Sequence, residues 1–349
     1  MNLQSYDQVI DYLNKNNRAH HLLLGNGFSV AYDKNIFSYT ALHKFIQESD
    51  DPTLTKLFGA VKTKNFELIM QQLETFTELL QAFDPGSPLI EIFSKASDKL
   101  KLRLIEAIKE LHPDHVFKID ETKSVNCAKF ISEFIGNGSY VFTTNYDILL
   151  YWILLRNNIT NHCDGFGRDL VTPGDARNGI EPEYSELRWG RNSSRQNTFY
   201  LHGALPIFDT GGEIVKEEYT LDAHILDNIK SRIDNGQYPV FVTAGNGDEK
   251  LEHITHNKYL AYCYDRLAEI NGSLITFGFS FGPYDDHIIH AINRAAKFGA
   301  RTSESLRSVY IGVYQESDIK WIESIRHKFA CKVNMYDART APVWGANEA

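Results

Sequence analysis

Four short blocks combine residue types that handle phosphate, hydroxyl and amide groups. They are Gly25-Asn26-Gly27-Phe28-Ser29, Thr143-Thr144-Asn145-Tyr146-Asp147, Leu201-His202-Gly203 and Gly278-Phe279-Ser280-Phe281-Gly282, and each closes an apolar run. Glycines after a strand permit positive φ and let backbone N–H groups come close to a diphosphate. The Asn145 amide both donates and accepts, so it can orient a carboxamide, a sugar hydroxyl or a water, with Asp147 accepting from donors around it. His202, with an ordinary pKa near ~6.5, can serve as a general base, and Gly203 beside it frees the backbone for substrate to approach. Ser280 offers a second phosphate or ribose contact.

Each block also has a plainer reading. Gly25-Asn26-Gly27 reads equally as a tight turn: the third glycine of the dehydrogenase fingerprint is missing, with Val30 in its place. The acidic ribose ligand expected about 20 residues on falls at Glu48 or Asp50, in a stretch that reads as helix. Asn145 can cap the helix that follows it. His202 can be a satisfied core histidine. Gly278 to Phe281 reads equally as a buried strand end, and Asp285 and Asp286 open a helix, where capping accounts for at least one of them. His253 and His256 share a helical face without a third ligand, and His112 and His115 flank a Pro-Asp turn. No metal site is expected.

The blocks fall where alternating elements place them. Apolar runs at 21–24, 140–143, 197–201, 240–243, 274–278 and 308–313 predict six strands, with Pro239 suited to the first position of the fourth. Segments of helical period lie at 4–16, 122–136, 148–155, 258–269, 284–297 and 316–328, and Gly136-Asn137-Gly138 ends the second. The alternation predicts an α/β fold: a Rossmann-like, doubly wound, mostly parallel six-stranded sheet, with ligands beyond the carboxyl ends of its strands. Residues 40–115 read as a helical insertion after the first strand, Phe66, Ile69, Met70, Leu73 and Phe76 falling at helical spacing, as do Leu89, Ile92, Phe93 and Leu100. Residues 160–196 read as a long irregular excursion. Both are expected to belong to one domain spanning 1–349.

Composition narrows the partners. With 349 residues the chain can bury a sizeable core. A net charge of −9, from 36 Lys+Arg against 45 Asp+Glu, argues against a broad nucleic-acid-binding face. The longest apolar run, Ile148 to Leu155, is far short of the ~18 residues that span a bilayer. The polar N-terminus shows no signal peptide, and Cys127, Cys163, Cys263 and Cys331 form no C-x-x-C pair, so a reducing cytoplasm is the expected compartment.

Taken in order, the blocks resemble the sirtuin superfamily: a G-x-G-x-S turn, a T-x-N-x-D block, a His-Gly and a late G-x-S. The likeness is strongest to the sirtuin-like, zinc-less domains of bacterial anti-phage defence proteins, which hydrolyse NAD. The cysteine quartet of deacylating sirtuins is absent, which argues against protein deacylation, and Asn26 replaces the small residue usual in the first turn. The resemblance implies that Gly25, Asn26, Gly27 and Ser29 line the NAD diphosphate and ribose, with Thr144, Gly278, Ser280 and Asp286 among the nucleotide contacts. It implies catalytic roles for Asn145, His202 and Asp147, with Asn145 and Asp147 in the nicotinamide pocket.

The implied reaction is an NAD glycohydrolase in prokaryotic defence. Nicotinamide leaves a positively charged ring nitrogen and departs neutral, so no general acid is needed, and the transition state resembles an oxocarbenium ion. A free NAD hydrolase would poison its host. The resemblance therefore implies restraint: a homo-oligomer, occlusion by 40–115 or 160–196, or an activator such as a DNA-translocating ATPase or a phage protein. The alternatives are an NAD or ADP-ribose sensor without turnover, a dehydrogenase, and an α/β scaffold whose strand-end residues are only caps and turns.

Overall fold

The computed structural model describes residues 3–37, 44, 52–61, 66–113, 115–136, 138–175, 177–218, 224–242, 246–297 and 305–345. Thr243 of the expected fourth strand, Asn137, Glu48, Asp50 and 346–349 lie outside the described residues.

In chain order the strands are β1 (Gln4–Ser5), β2 (His20–Leu24), β3 (Val141–Thr143), β4 (Phe166–Gly167), β5 (Leu170–Thr172), β6 (Glu183–Tyr184) and β7 (Leu187–Trp189). They continue with β8 (Thr198–Tyr200), β9 (Gly203–Asp209), β10 (Ile214–Lys216), β11 (Pro239–Phe241), β12 (Gly272–Phe277), β13 (Leu306–Val313) and β14 (Lys332–Asp337). Seven of them form one sheet in the order β8-β3-β2-β12-β13-β14-β1, every neighbouring pair parallel. Apart from the two-residue β1 at the edge, the spatial order along the sheet is third-second-first-fourth-fifth-sixth. That is the doubly wound Rossmann order, with its switch point between β2 and β12.

The strands are continuous apolar runs because helices cover both faces. Leu22, Leu23, Leu24, Phe142, Phe199, Leu274 and Ile275 are fully buried. The covering helices turn an apolar stripe inward. Tyr6–Lys15, opened by a Ser5/Gln8 capping box, buries Val9 and Leu13, and Asp286–Lys297 buries Ile288, Ala291 and Ile292. Leu149–Arg156 buries every residue from Leu149 to Leu154. Between β2 and β3 the helices Pro52–Val61, Phe66–Phe83 and Pro88–Leu111 occupy the expected helical stretch. They bury Leu54, Phe58, Ile69, Met70, Leu73 and Leu100, whereas Phe76, Leu89 and Ile92 stay exposed.

Two expectations need correction. The fourth expected strand is not in the parallel sheet: β11 is an edge strand, antiparallel to β9, of a second sheet ordered β11-β9-β10-β7-β4. Pro239 cannot donate to a ladder and so sits at that edge. The missing places are filled by β14, whose half-buried pattern carries no continuous apolar run, and by β1. The stretch 160–196 is irregular only in part among its described residues. It contributes β4 and β7 to the second sheet and a β5–β6 ribbon, in strands of two or three residues that are too short to show a period. A buried ion pair between Lys216 and Asp164, beneath the rings of Tyr151 and Phe166, ties this sheet together.

After β14 the chain turns through Ala338–Thr340 and runs back over the helix Gly27–Tyr32. Trp344 Nε1 donates to Phe28 O at 2.9 Å, and its ring lies 4.9 Å from that of Phe28. Among the described residues, no helix is long and apolar enough to cross a membrane.

Candidate functional site

The first block sits where β2 meets β12. Gly25 N donates to Phe277 O at 3.0 Å and Gly27 N to Gly278 O at 2.8 Å. A Cβ on Gly27 would lie 2.5 Å from Gly278 Cα, and one on Gly25 would lie 2.6 Å from Gly278 O. Gly278 itself has φ +68°. These glycines are required by two backbones in contact. The N–H groups of Phe28, Ser29 and Val30 also donate within the turn. The Gly25 and Gly27 amides thus already have partners, which counts against an amide cradle for diphosphate at those two positions. Asn26 is exposed and its side chain makes no cap.

Behind this turn three expected residues meet. The helix Gly27–Tyr32 presents Ser29, whose Oγ donates to Asp147 Oδ2 at 2.6 Å and accepts from Asn145 Nδ2 at 2.9 Å. Asp147 Oδ1 accepts from Leu149 N at 2.9 Å, so the aspartate, not Asn145, serves the start of the next helix. Asn145 is held by its own N–H donating to Thr143 Oγ1, and Thr144 N donates to Leu24 O. Burial pushes the Asp147 carboxyl above its ordinary value, against the pull of the Ser29 and Leu149 hydrogen bonds. Asn145 Oδ1 is buried with no hydrogen-bond partner. An orphaned acceptor of this kind is costly unless a donor reaches it.

His202 follows β8 and lies beside the same cluster. Its Nε2 is 2.8 Å from His287 Nε2, with the rings stacked at 5.0 Å, and the Tyr146 ring is also stacked with it at 6.3 Å. Burial, then His287, then the buried Lys250 hold the His202 ring well below its ordinary value, and burial brings His287 to about 3. Both imidazoles are thereby held uncharged at neutral pH, with a single N–H between the two Nε2 atoms. An uncharged ring keeps the acceptor form that a general base needs, while its Nε2 already faces His287. Gly203 does not open a path for substrate. At φ +79° it brings β9 onto β11, where a Cβ would fall 1.8 Å from Val240 O.

A cavity of about 1260 Å³ opens beyond the carboxyl ends of β2, β12, β13 and β14. Gly27, Gly278 and Ser280 line it, as do Tyr314, Trp321 and the strap Val343–Gly345. Ser29, Thr144, Asn145, Asp147 and His202 lie off it, along the β3 and β8 side of the same edge. Asp286 is also off the cavity, in an ion pair with Lys328 at 2.7 Å. Sequence reasoning missed Trp321, the strap, His287 and Lys250. Only the glycine-rich ends signalled that β12 and β2 would touch.

The family's profile matches residues 22–344, from β2 through Trp344. The chain belongs to the family of a domain of unknown function, DUF4917. No curated protein matches its sequence significantly. The matched span takes in all four strand-end blocks and the strap that walls the cavity.

Proposed function

We propose that the chain binds a dinucleotide along the carboxyl edge of the parallel sheet and hydrolyses NAD to nicotinamide and ADP-ribose. The observation that carries this reading is the placement of two features on either side of the switch point. The cavity opens mainly beyond β12, β13 and β14 and reaches the helix after β2, and the Asn145–Ser29–Asp147 cluster lies at the ends of β2 and β3. A dinucleotide in this fold crosses the switch point. The cavity exceeds the ~300–1,000 Å³ of ordinary ligand pockets and has room for a nucleotide half.

In this reading the nicotinamide ribose lies at Asn145. Its orphaned Oδ1 accepts from a ribose hydroxyl or from the attacking water, and Ser29 and Asp147 fix the amide's orientation. His202, neutral and backed by His287, aligns a second hydroxyl. Departure of neutral nicotinamide leaves an oxocarbenium-like sugar, which water attacks in a site closed to bulk solvent. The likeness to defence NAD hydrolases supplies the setting of an effector held in check until triggered.

A second reading is favoured by one observation. Asn145, Asp147 and His202 are 7%, 9% and 3% exposed, a closed site that suits a sensor of NAD or ADP-ribose. Chromatography of NAD incubated with the wild type, Asn145→Ala and His202→Ala separates the two. Hydrolysis predicts nicotinamide and ADP-ribose from the wild type, and on the order of 10²-fold less from either variant through lost positioning. Saturable NAD binding without nicotinamide release would establish the sensor, and near-full turnover by a variant would remove that residue from the mechanism.

A further inference from the structure

The cavity needs a source of positive charge for any phosphate it takes, and the glycine turn does not supply it. Its amides at Gly25, Gly27, Phe28, Ser29 and Val30 all donate within the chain. The charged side chains lining the cavity are Asp33, Lys34, Lys123, Asp318 and Arg339. Three of these are engaged. Arg339 is held by Asp337 through two hydrogen bonds, at 2.8 and 2.7 Å. Asp318 caps its helix, accepting from Tyr314 N and Gln315 N, and Asp33 accepts from Asn35 N.

The two lysines differ from these. Lys34 makes no ion pair among the described residues. Lys123 Nζ donates to Tyr32 O at 3.1 Å and sits 5.0 Å over the Tyr32 ring, so its head is fixed while two of its three N–H donors are left for a ligand. Lys34 follows the helix Gly27–Tyr32 and Lys123 is bonded to its last residue, so both border the element that begins at Gly27. Tyr314 and Trp321, 66% and 37% exposed, also line the cavity, and their rings suit the face of a base.

We propose that Lys34 and Lys123 form the phosphate anchor of this cavity, holding the diphosphate of an ADP-ribosyl nucleotide in place of the backbone cradle. This rests on the reading of the cavity as a nucleotide site but not on turnover. Ammonium groups act on phosphate as point charges, so the anchor reads charge and not base identity.

Titration of the full chain with ADP-ribose and with adenosine tests it. Lys34 is on the surface and Lys123 half-buried, and glutamine keeps both stems, so thermal melts of Lys34→Gln and Lys34→Gln/Lys123→Gln should match the wild type. Loss of a charge-assisted bond should weaken ADP-ribose binding about tenfold in the single variant and about a hundredfold in the double, with adenosine unchanged. The wild-type affinity for ADP-ribose should fall with added salt, and less steeply in the double variant. Equal ADP-ribose affinity in the wild type and the double variant would overturn the anchor and leave the nucleotide site standing. Equal weakening of adenosine would overturn it too, since charge would not be what the lysines contribute. Failure of the wild type to bind either probe would overturn both readings.

Discussion

Ser29 and Asp147, 118 residues apart, are joined at 2.6 Å in the buried seam between the ends of β2 and β3. The bond links the helix that walls the cavity to the segment that carries Asn145. Ser29→Ala removes a donor from a buried carboxylate and should cost about 1.5–3 kcal/mol in denaturant unfolding. It should also leave Asn145 Nδ2 without its acceptor, so NAD turnover or affinity falls with stability. A variant as stable as the wild type would show that water replaces the hydroxyl at no cost.

Acid should unfold the chain early because several histidines are buried uncharged. Burial lowers His112 and His287 to about 3 and His21 to about 4, from an ordinary 6.5. The unfolded chain takes up protons below 6.5 that the folded chain refuses, so this contribution is whole above 6.5 and is lost as pH falls toward 3–4. Each of the three adds about 1.4 kcal/mol per pH unit to the slope. Asp147 and Asp285, whose carboxyls burial pushes up, act in the opposite sense and offset part of the loss.

His112 isolates that effect. Neither of its ring nitrogens has a hydrogen-bond partner, and it packs edge-on against Phe37 and Trp152. His112→Phe should raise stability by about 1 kcal/mol at neutral pH and remove one proton's worth of slope from unfolding measured at pH 4–6. An unchanged slope would place the acid sensitivity elsewhere.

Gly203→Ala tests the pairing of β9 with β11 at the edge of the second sheet. At φ +79° and 1.8 Å from Val240 O, the added methyl forces β9 and β11 apart. We expect a loss of several kcal/mol. The control Gly211→Ala, also at positive φ but with open space around it, should cost only about 1 kcal/mol.

Trp344 is the anchor of the strap, 9% exposed and bonded to Phe28 O. Trp344→Ala should cost about 3–5 kcal/mol if the strap stays docked, or less if it peels away. In either case the cavity loses a wall, and ADP-ribose affinity should drop with it. Unchanged affinity would show that the ligand does not reach the strap.

The local elements were legible because their causes are local. The apolar runs at Leu22–Leu24, Phe142, Phe199 and Leu274–Ile275 have no place but the middle of a covered parallel sheet, and they fixed the fold class. The residue types at the strand ends gather at the edge of that sheet where the cavity opens. The reach of each group was decided by tertiary contacts that leave no periodic trace. Gly25 and Gly27 carry the same letters whether they face a diphosphate or Gly278, and only the β2–β12 pairing consumes their amides. Nothing near His202 in sequence announces His287, 85 residues away, whose ring takes its proton partner's place and, with burial, keeps the pair neutral. Val240 was apolar and followed a proline, as a strand should; its sheet was decided by β9, the neighbour able to accept an edge that begins with a residue lacking an N–H. Strand ends can thus be read from composition, while hydrogen-bond partners and charge states depend on which distant segments the fold brings against them.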